Sequence, residues 1–256
     1  MKRINFIIVC IWIFETSVLA QTPPTFESLL GGGIFLQGGL GSLALRDEYI
    51  SKEKYSGSLP YFECGWLKSH DSSAVRFGLE FRSSSTVNNN RVSAEVVQGG
   101  VNLDYIYPIG RFQLFAHTIY AFLGPSMEMY YYNRTENIAR GGSAAYNSYV
   151  TYYSLSVNST LILPLGSDLS SECSGVLNLT GWGKRSITSQ NNDQKAFKPI
   201  SVFSGIRGST NILLRYNVSD ALLLKAGYRF EICQMTSWDY LLSASDNLII
   251  AVMYRL

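Results

Sequence analysis

Charged side chains recur at alternate positions in several apolar stretches: Arg76, Glu80 and Arg82, then Asp104, Arg111 and Arg207, and finally Lys225, Arg229 and Glu231. Guanidinium and carboxylate groups gathered on the inner wall of a closed sheet can act in two ways. They can pair and fill a narrow lumen, satisfying one another where water is scarce, or they can line a passage and select what crosses it. Barrels of about eight strands have interiors filled by side chains, and only much larger ones leave an aqueous channel, so pairing is the expected outcome.

Catalysis is less well supplied. The chain has two histidines, His70 in a polar turn and His117 low on a strand. A hydrolase of the outer-membrane type needs acidic residues and a base gathered at an outer rim, and neither histidine suits that place. A Ser/His hydrolase could use His117, but no strand carries a nucleophile motif beside it. No phosphate-cradling loop, zinc spacing or calcium loop is present, so we expect no catalytic, cofactor-binding or metal site. Asn-x-Ser/Thr sequences at Asn133, Asn158, Asn178 and Asn217 read as products of composition, because Asn158 and Asn178 fall mid-strand on the expected inner face.

The elements that must position the charges are strands. In Ala74–Arg82 the residues Val75, Phe77, Leu79 and Phe81 point one way and Arg76, Gly78, Glu80 and Arg82 the other. A side-chain period of two belongs to a strand. Near the end, Leu222, Leu224, Ala226, Tyr228, Phe230 and Ile232 alternate in the same way with Leu223, Lys225, Gly227, Arg229 and Glu231. Elsewhere Glu172 opposes Leu169 and Cys173, and Arg207 and Arg215 oppose Ile206, Ile212 and Leu214. In the stretch Val92–Tyr107 the apolar parity switches at Gly99-Gly100, which predicts a β-bulge there. Pro108-Ile109-Gly110 predicts the next turn. Short turns after even strands alternate with longer polar loops after odd ones, among them residues 186–195.

Composition agrees with strands and turns: 17 Tyr, 13 Phe and 22 Gly accompany only 7 Pro in 256 residues. The net charge of +2 gives no reason to expect nucleic acid as a partner. Lys2 and Arg3, the apolar run from Phe6 to Phe14 and the small residues before Gln21 predict a secretory signal peptide over residues 1–20. Cys10 lies inside that run, which argues against a lipoprotein. Residues 21–30 then form a periplasmic leader and residues 31–256 the barrel. Cys64, Cys173 and Cys233 have no framework spacing, and whether two of them pair is left open.

Together these features predict an all-β, antiparallel up-and-down transmembrane β-barrel of about ten strands, within a range of roughly eight to twelve. Large aromatics gather at one end, Trp66, Tyr105, Tyr107, Phe112, Tyr216 and Tyr254, as an interfacial girdle would. Period two alone does not say which face is inside, so a soluble secreted barrel holding an apolar ligand is the alternative.

The pattern over residues 31–256 and the ending Asn247-Leu248-Ile249-Ile250-Ala251-Val252-Met253-Tyr254-Arg255-Leu256 resemble the small outer-membrane β-barrels of Gram-negative bacteria, in particular porin-like barrels of Bacteroidota. The final residue is Leu256 where many relatives have Phe. The resemblance implies an outer-membrane location and contact with lipid. It also implies assembly by the barrel-assembly machinery through the last strand, and a role as narrow channel, structural component or surface platform rather than enzyme.

Overall fold

The computed structural model describes residues 29–47, 51–70, 72–88, 93–114, 117–137, 146–189, 192–200, 205–236 and 241–256. The signal-peptide reading, and the leader as far as residue 28, lie outside them. Leu29 and Leu30 are helical, and the other described elements are antiparallel strands: β1 Gly33–Asp47, β2 Ser51–Ser58, β3 Tyr61–His70, β4 Ser73–Asn88, β5 Ser93–Leu114, β6 His117–Asn137, β7 Tyr146–Pro164, β8 Leu169–Ser189, β9 Asn192–Ile200, β10 Gly205–Ser219, β11 Leu222–Met235 and β12 Leu241–Arg255.

These segments close into a ring of about ten strands. β2 and β3 both pair with β1, as one staggered strand interrupted at Leu59-Pro60, where the Leu59 amide donates to the Gly41 carbonyl at 3.0 Å. In the same way β9 and β10 both pair with β8. Closure comes from β1 on β12, with Gly33 opposite Arg255 and Asp47 opposite Leu241. Among the described residues the strands β1, β3–β8 and β10–β12 are paired on both sides, as a sheet in lipid requires, and β9 is paired with β8 alone.

The outward face answers the question that periodicity leaves open. Leu40, Leu248 and Ile250 are 72%, 67% and 64% exposed, and the whole row Val75–Phe81 faces away from the lumen with them. Apolar side chains thus point out and charges point in, the reverse of a soluble barrel. Trp66, Tyr105, Tyr107, Tyr216 and Tyr254 all lie on this outer face toward the end that holds both Gly33 and Arg255. At the other margin Trp182 stacks on Tyr153 with ring centroids 6.0 Å apart, beside Tyr131. Aromatic residues bound an apolar band on both sides.

Strands are far longer than a membrane requires. A tilted strand crosses in about 9–11 residues, yet β5, β6 and β8 have 22, 21 and 21. The excess lies at both ends: β5 and β6 extend together to Leu114↔His117 past the Tyr107 end, and beyond the Trp182 margin the barrel continues as a collar. There the facing inverts. Leu43, Leu45, Val87, Ala94, Val96, Tyr132 and Val150 turn inward and are at most 1% exposed, while Ser42, Arg46, Lys54, Ser56, Glu95 and Lys184 face out.

Three sequence expectations are corrected by this. No bulge occurs at Gly99-Gly100: pairing runs unbroken from Val101↔Leu79 through Gly100↔Glu80 and Gly99↔Phe81. Apolar parity changes there because Ala94 and Val96 belong to the collar core, while Val101 and Leu103 face lipid. Pro108-Ile109-Gly110 is an irregularity within a hairpin that continues to Leu114↔His117, not a turn. The polar stretch 186–195 is mostly strand, with β8 running to Ser189 and β9 starting at Asn192.

Candidate functional site

The strand periodicity places acids and bases from seven strands in one layer across the lumen. Arg207 on β10 has Nη2 at 2.6 Å from Glu80 Oε1 and 3.2 Å from Glu231 Oε1, and Nη1 at 3.2 Å from Glu128 Oε1. Arg229 on β11 reaches Glu63 Oε2 at 3.3 Å and Glu80 and Glu231 at 3.2 Å each. Arg82 contacts Glu231 and lies 3.5 Å from Glu80. Arg76 pairs with Glu63 and, at 3.3 Å, with Asp104. Toward the barrel end that holds Gly33 and Arg255, Glu172 Oε2 holds Lys225 Nζ at 2.9 Å and Arg215 Nε at 3.5 Å.

Six cations therefore meet six carboxylates. Neutrality matters because an uncompensated charge in this interior would face a large desolvation penalty. Tyr61 ties the layer together. Its hydroxyl donates to Glu63 and accepts from Arg229 Nη1 at 2.7 Å, and its ring lies 5.0 and 4.9 Å from the guanidinium carbons of Arg82 and Arg229. The ring of Tyr130 does the same for Arg207 at 4.5 Å.

Space for these long side chains comes from inward glycines. A Cβ on Gly100 would stand 2.8 Å from Glu80 Cγ, and one on Gly78 would stand 2.9 Å from Glu63 Oε1. Either would push a carboxylate off its arginine, so small and large alternate across the lumen.

Apolar layers cover the charges on both sides. The collar core, with Leu43, Tyr55, Leu59, Tyr152, Met235 and Leu241, lies above, and Phe35, Leu67, Ile106, Ile162, Leu223 and Met253 lie below. Between the charge layer and the lower core is a cavity of about 100 Å³.

Of the nine charges expected inside, eight are there: Arg76, Glu80, Arg82, Asp104, Arg207, Lys225, Arg229 and Glu231. Arg111 is not. It is exposed on the hairpin that projects past the barrel at the end with Gly33 and Arg255, opposite Tyr120, because the expected turn at Pro108–Gly110 does not occur. Phe112 occupies the same projection. Sequence reasoning left Glu63, Glu128, Glu172, Arg215 and Tyr61 out of the cluster. Their parity was a usable signal: Glu63 lies between outward Phe62 and Cys64, and Glu128 between outward Met127 and Met129.

His70 and His117 sit at the same end as Gly33 and Arg255, in the β3–β4 and β5–β6 hairpins. Among the described residues no group of His, Cys, Asp and Glu is arranged to hold a metal. Cys64, Cys173 and Cys233 are free thiols; Cys173 is exposed on the outer surface and Cys233 is buried in the collar core. Asn158 and Asn178 are buried inside the barrel, with Asn178 Nδ2 donating to Tyr152 at 2.9 Å.

No protein-family model matches the chain, and no curated protein does. Solved structures do. The outer membrane protease OmpT of Escherichia coli superposes with a TM-score of 0.56 at 6% identity, covering 88% of this chain and 97% of that one. The translocator domain of autotransporter NalP from Neisseria meningitidis gives 0.49 at 12% identity over 88% and 89%. Escherichia coli is not one of the Bacteroidota, so the lineage suggested by the sequence gains no support from the OmpT likeness. The likeness to OmpT is one of fold, and the protein has the fold of an outer-membrane β-barrel: a closed antiparallel ring of about ten strands.

Proposed function

We propose that this chain works in the Gram-negative outer membrane as a closed, non-enzymatic barrel, a structural or surface-interaction component whose exposed part is the collar. The observation that carries this reading is the neutral layer of ion pairs sealed between two apolar cores. Delivery through the inner membrane by a cleaved signal peptide, and insertion by the barrel-assembly machinery acting on β12, follow from the same reading. The outward row Leu248, Ile250, Val252 and Tyr254 supports that insertion route. With both termini and the short hairpins on the periplasmic side, the collar faces outward.

Single-channel recording of the refolded mature chain in a planar bilayer tests the proposal, with heat-modifiable gel migration as the folding control. A folded barrel is expected to be electrically silent. Discrete conductance that changes on charge reversal at Arg229 would overturn closure in favour of a narrow porin-like channel. The OmpT likeness makes hydrolysis the second outcome to check: turnover lost in a His117→Ala variant would overturn the non-enzymatic reading. A mature chain that stays monodisperse without detergent would restore the soluble, ligand-binding alternative.

A further inference from the structure

The two apolar seals of the lumen are built differently. Apart from Leu59, which sits at the break between β2 and β3 and is tied to β1 by its amide on the Gly41 carbonyl, the collar core consists of strand side chains held by the ladder of hydrogen bonds around the ring. The lower seal includes Leu29 and Leu30, 7% and 6% exposed, which precede β1 and belong to no strand. They pack with Phe35, Ile106, Ile162 and Met253 inside the barrel mouth. One polar contact fastens them: the Leu29 carbonyl accepts a hydrogen bond of 2.5 Å from Arg215 Nη2, itself buried and beside Glu172.

Directly behind Leu30 lies the 100 Å³ cavity, which is also lined by Asp104, Asn158, Glu172, Asn211 and Lys225. Asn158 uses its Nδ2 twice, donating to the Tyr105 and Pro125 carbonyls at 3.1 Å each, yet its Oδ1 is buried without a protein partner. Asn211 Oδ1 is in the same condition. Buried acceptors of this kind need a donor, and a polar cavity of this size has room for water to supply it.

We infer that Leu29 and Leu30 form a displaceable stopper, and that the cavity is a hydrated vestibule which opens to the periplasm when the stopper withdraws. The ion-pair layer and the collar core stay shut. The inference rests on the closed-barrel reading and its orientation for the statement that the vestibule faces the periplasm and leads nowhere. The stopper itself rests only on the contacts of Leu29 and Leu30. A segment outside the sheet can leave without breaking the ladder, whereas the strand residues of the collar core cannot, and such local opening costs far less than global unfolding.

The test uses the refolded barrel with Cys64→Ala, Cys173→Ala and Cys233→Ala, and Ser174→Cys as a reporter on the cavity wall. A small charged methanethiosulfonate is the probe. With the stopper intact Ser174→Cys is expected to label slowly. In Leu29→Asp/Leu30→Asp it should label at least about tenfold faster, with Leu30→Ala between the two. Equal rates in the parent and in a folded stopper variant would overturn the inference. Should the double variant fail its heat-shift control, Leu30→Ala decides alone. Bilayer recording separates the two claims. Conductance by the parent breaks the closed-barrel reading while labelling still reports on the stopper, and conductance only in the stopper variants shows that the layers above do not hold.

Discussion

The collar and the membrane-spanning wall are made of the same strands, yet their side chains obey opposite rules. On β5, Ala94 and Val96 point inward in the collar, and Asp104, of the same parity, points inward in the membrane region. On β6 the inward row passes from Glu128 through Tyr130 to Tyr132 without a change of phase. What changes is the medium outside. Above the aromatic margin the barrel is surrounded by water and hides its apolar residues, as any soluble barrel does. Below it the surroundings are hydrocarbon, no hydrophobic gain comes from turning leucines inward, and the lumen is left to polar groups that satisfy one another. One continuous sheet can therefore have two kinds of core, provided that its strands are long enough to cross the boundary.

This contrast can be broken by experiment, most severely at the ion pairs. Arg207→Ala would leave Glu128 without its cation and take one of three arginines from each of Glu80 and Glu231, and we expect a loss of about 3–5 kcal/mol in urea unfolding followed in lipid vesicles. A loss near zero would mean that the layer is hydrated rather than sealed. Arg111→Ala on the exposed hairpin supplies the baseline, within about 0.5 kcal/mol of the parent.

The apolar cores come next. Leu43→Ala, in the collar core at 1% exposed, should cost about 2–5 kcal/mol as a buried cavity does. The same deletion at Leu248, 67% exposed on the outer face, should cost much less, because lipid fills the space. Similar losses at both sites would mean that the collar core is not packed like a soluble interior.

The smallest effects concern the outer surface. Ile250→Arg, amid the outward apolar row, should destabilise by about 2–4 kcal/mol, as charged groups do on the lipid face of barrels. Ser56→Arg on the outer face of the collar should change stability by less than about 0.5 kcal/mol. The ratio of the two, read from the same unfolding titration, locates the boundary between the media.

Much of the fold was legible in the residues. Alternation located the strands, and the turns at Ser72 and around Asp220 were readable from their polar residues. Eight of the nine lumen charges followed from parity alone. Arg111 was misplaced for a local reason: Pro-Ile-Gly is a strong turn signal, but cross-strand pairing from Gly110↔Ala121 to Leu114↔His117 extends the hairpin past it. The Gly99-Gly100 bulge was inferred on the assumption that one face stays apolar along the whole strand, and that assumption fails wherever a strand leaves the membrane. Glu63, Glu128 and Glu172 lay on recognisable polar faces. Their importance was hidden because their partners are distant in sequence and lie on other strands.

By itself, the sequence determined the period of two, the antiparallel hairpins and the approximate number of strands, because these depend on residues that are neighbours along the chain. Tertiary structure alone decided which face is inside, where the core changes character, and which charges meet. Arg207 and Glu80 are 127 positions apart and touch only because the ring closes. Ring closure sets strand stagger over all the strands at once, and no short stretch of sequence contains that information.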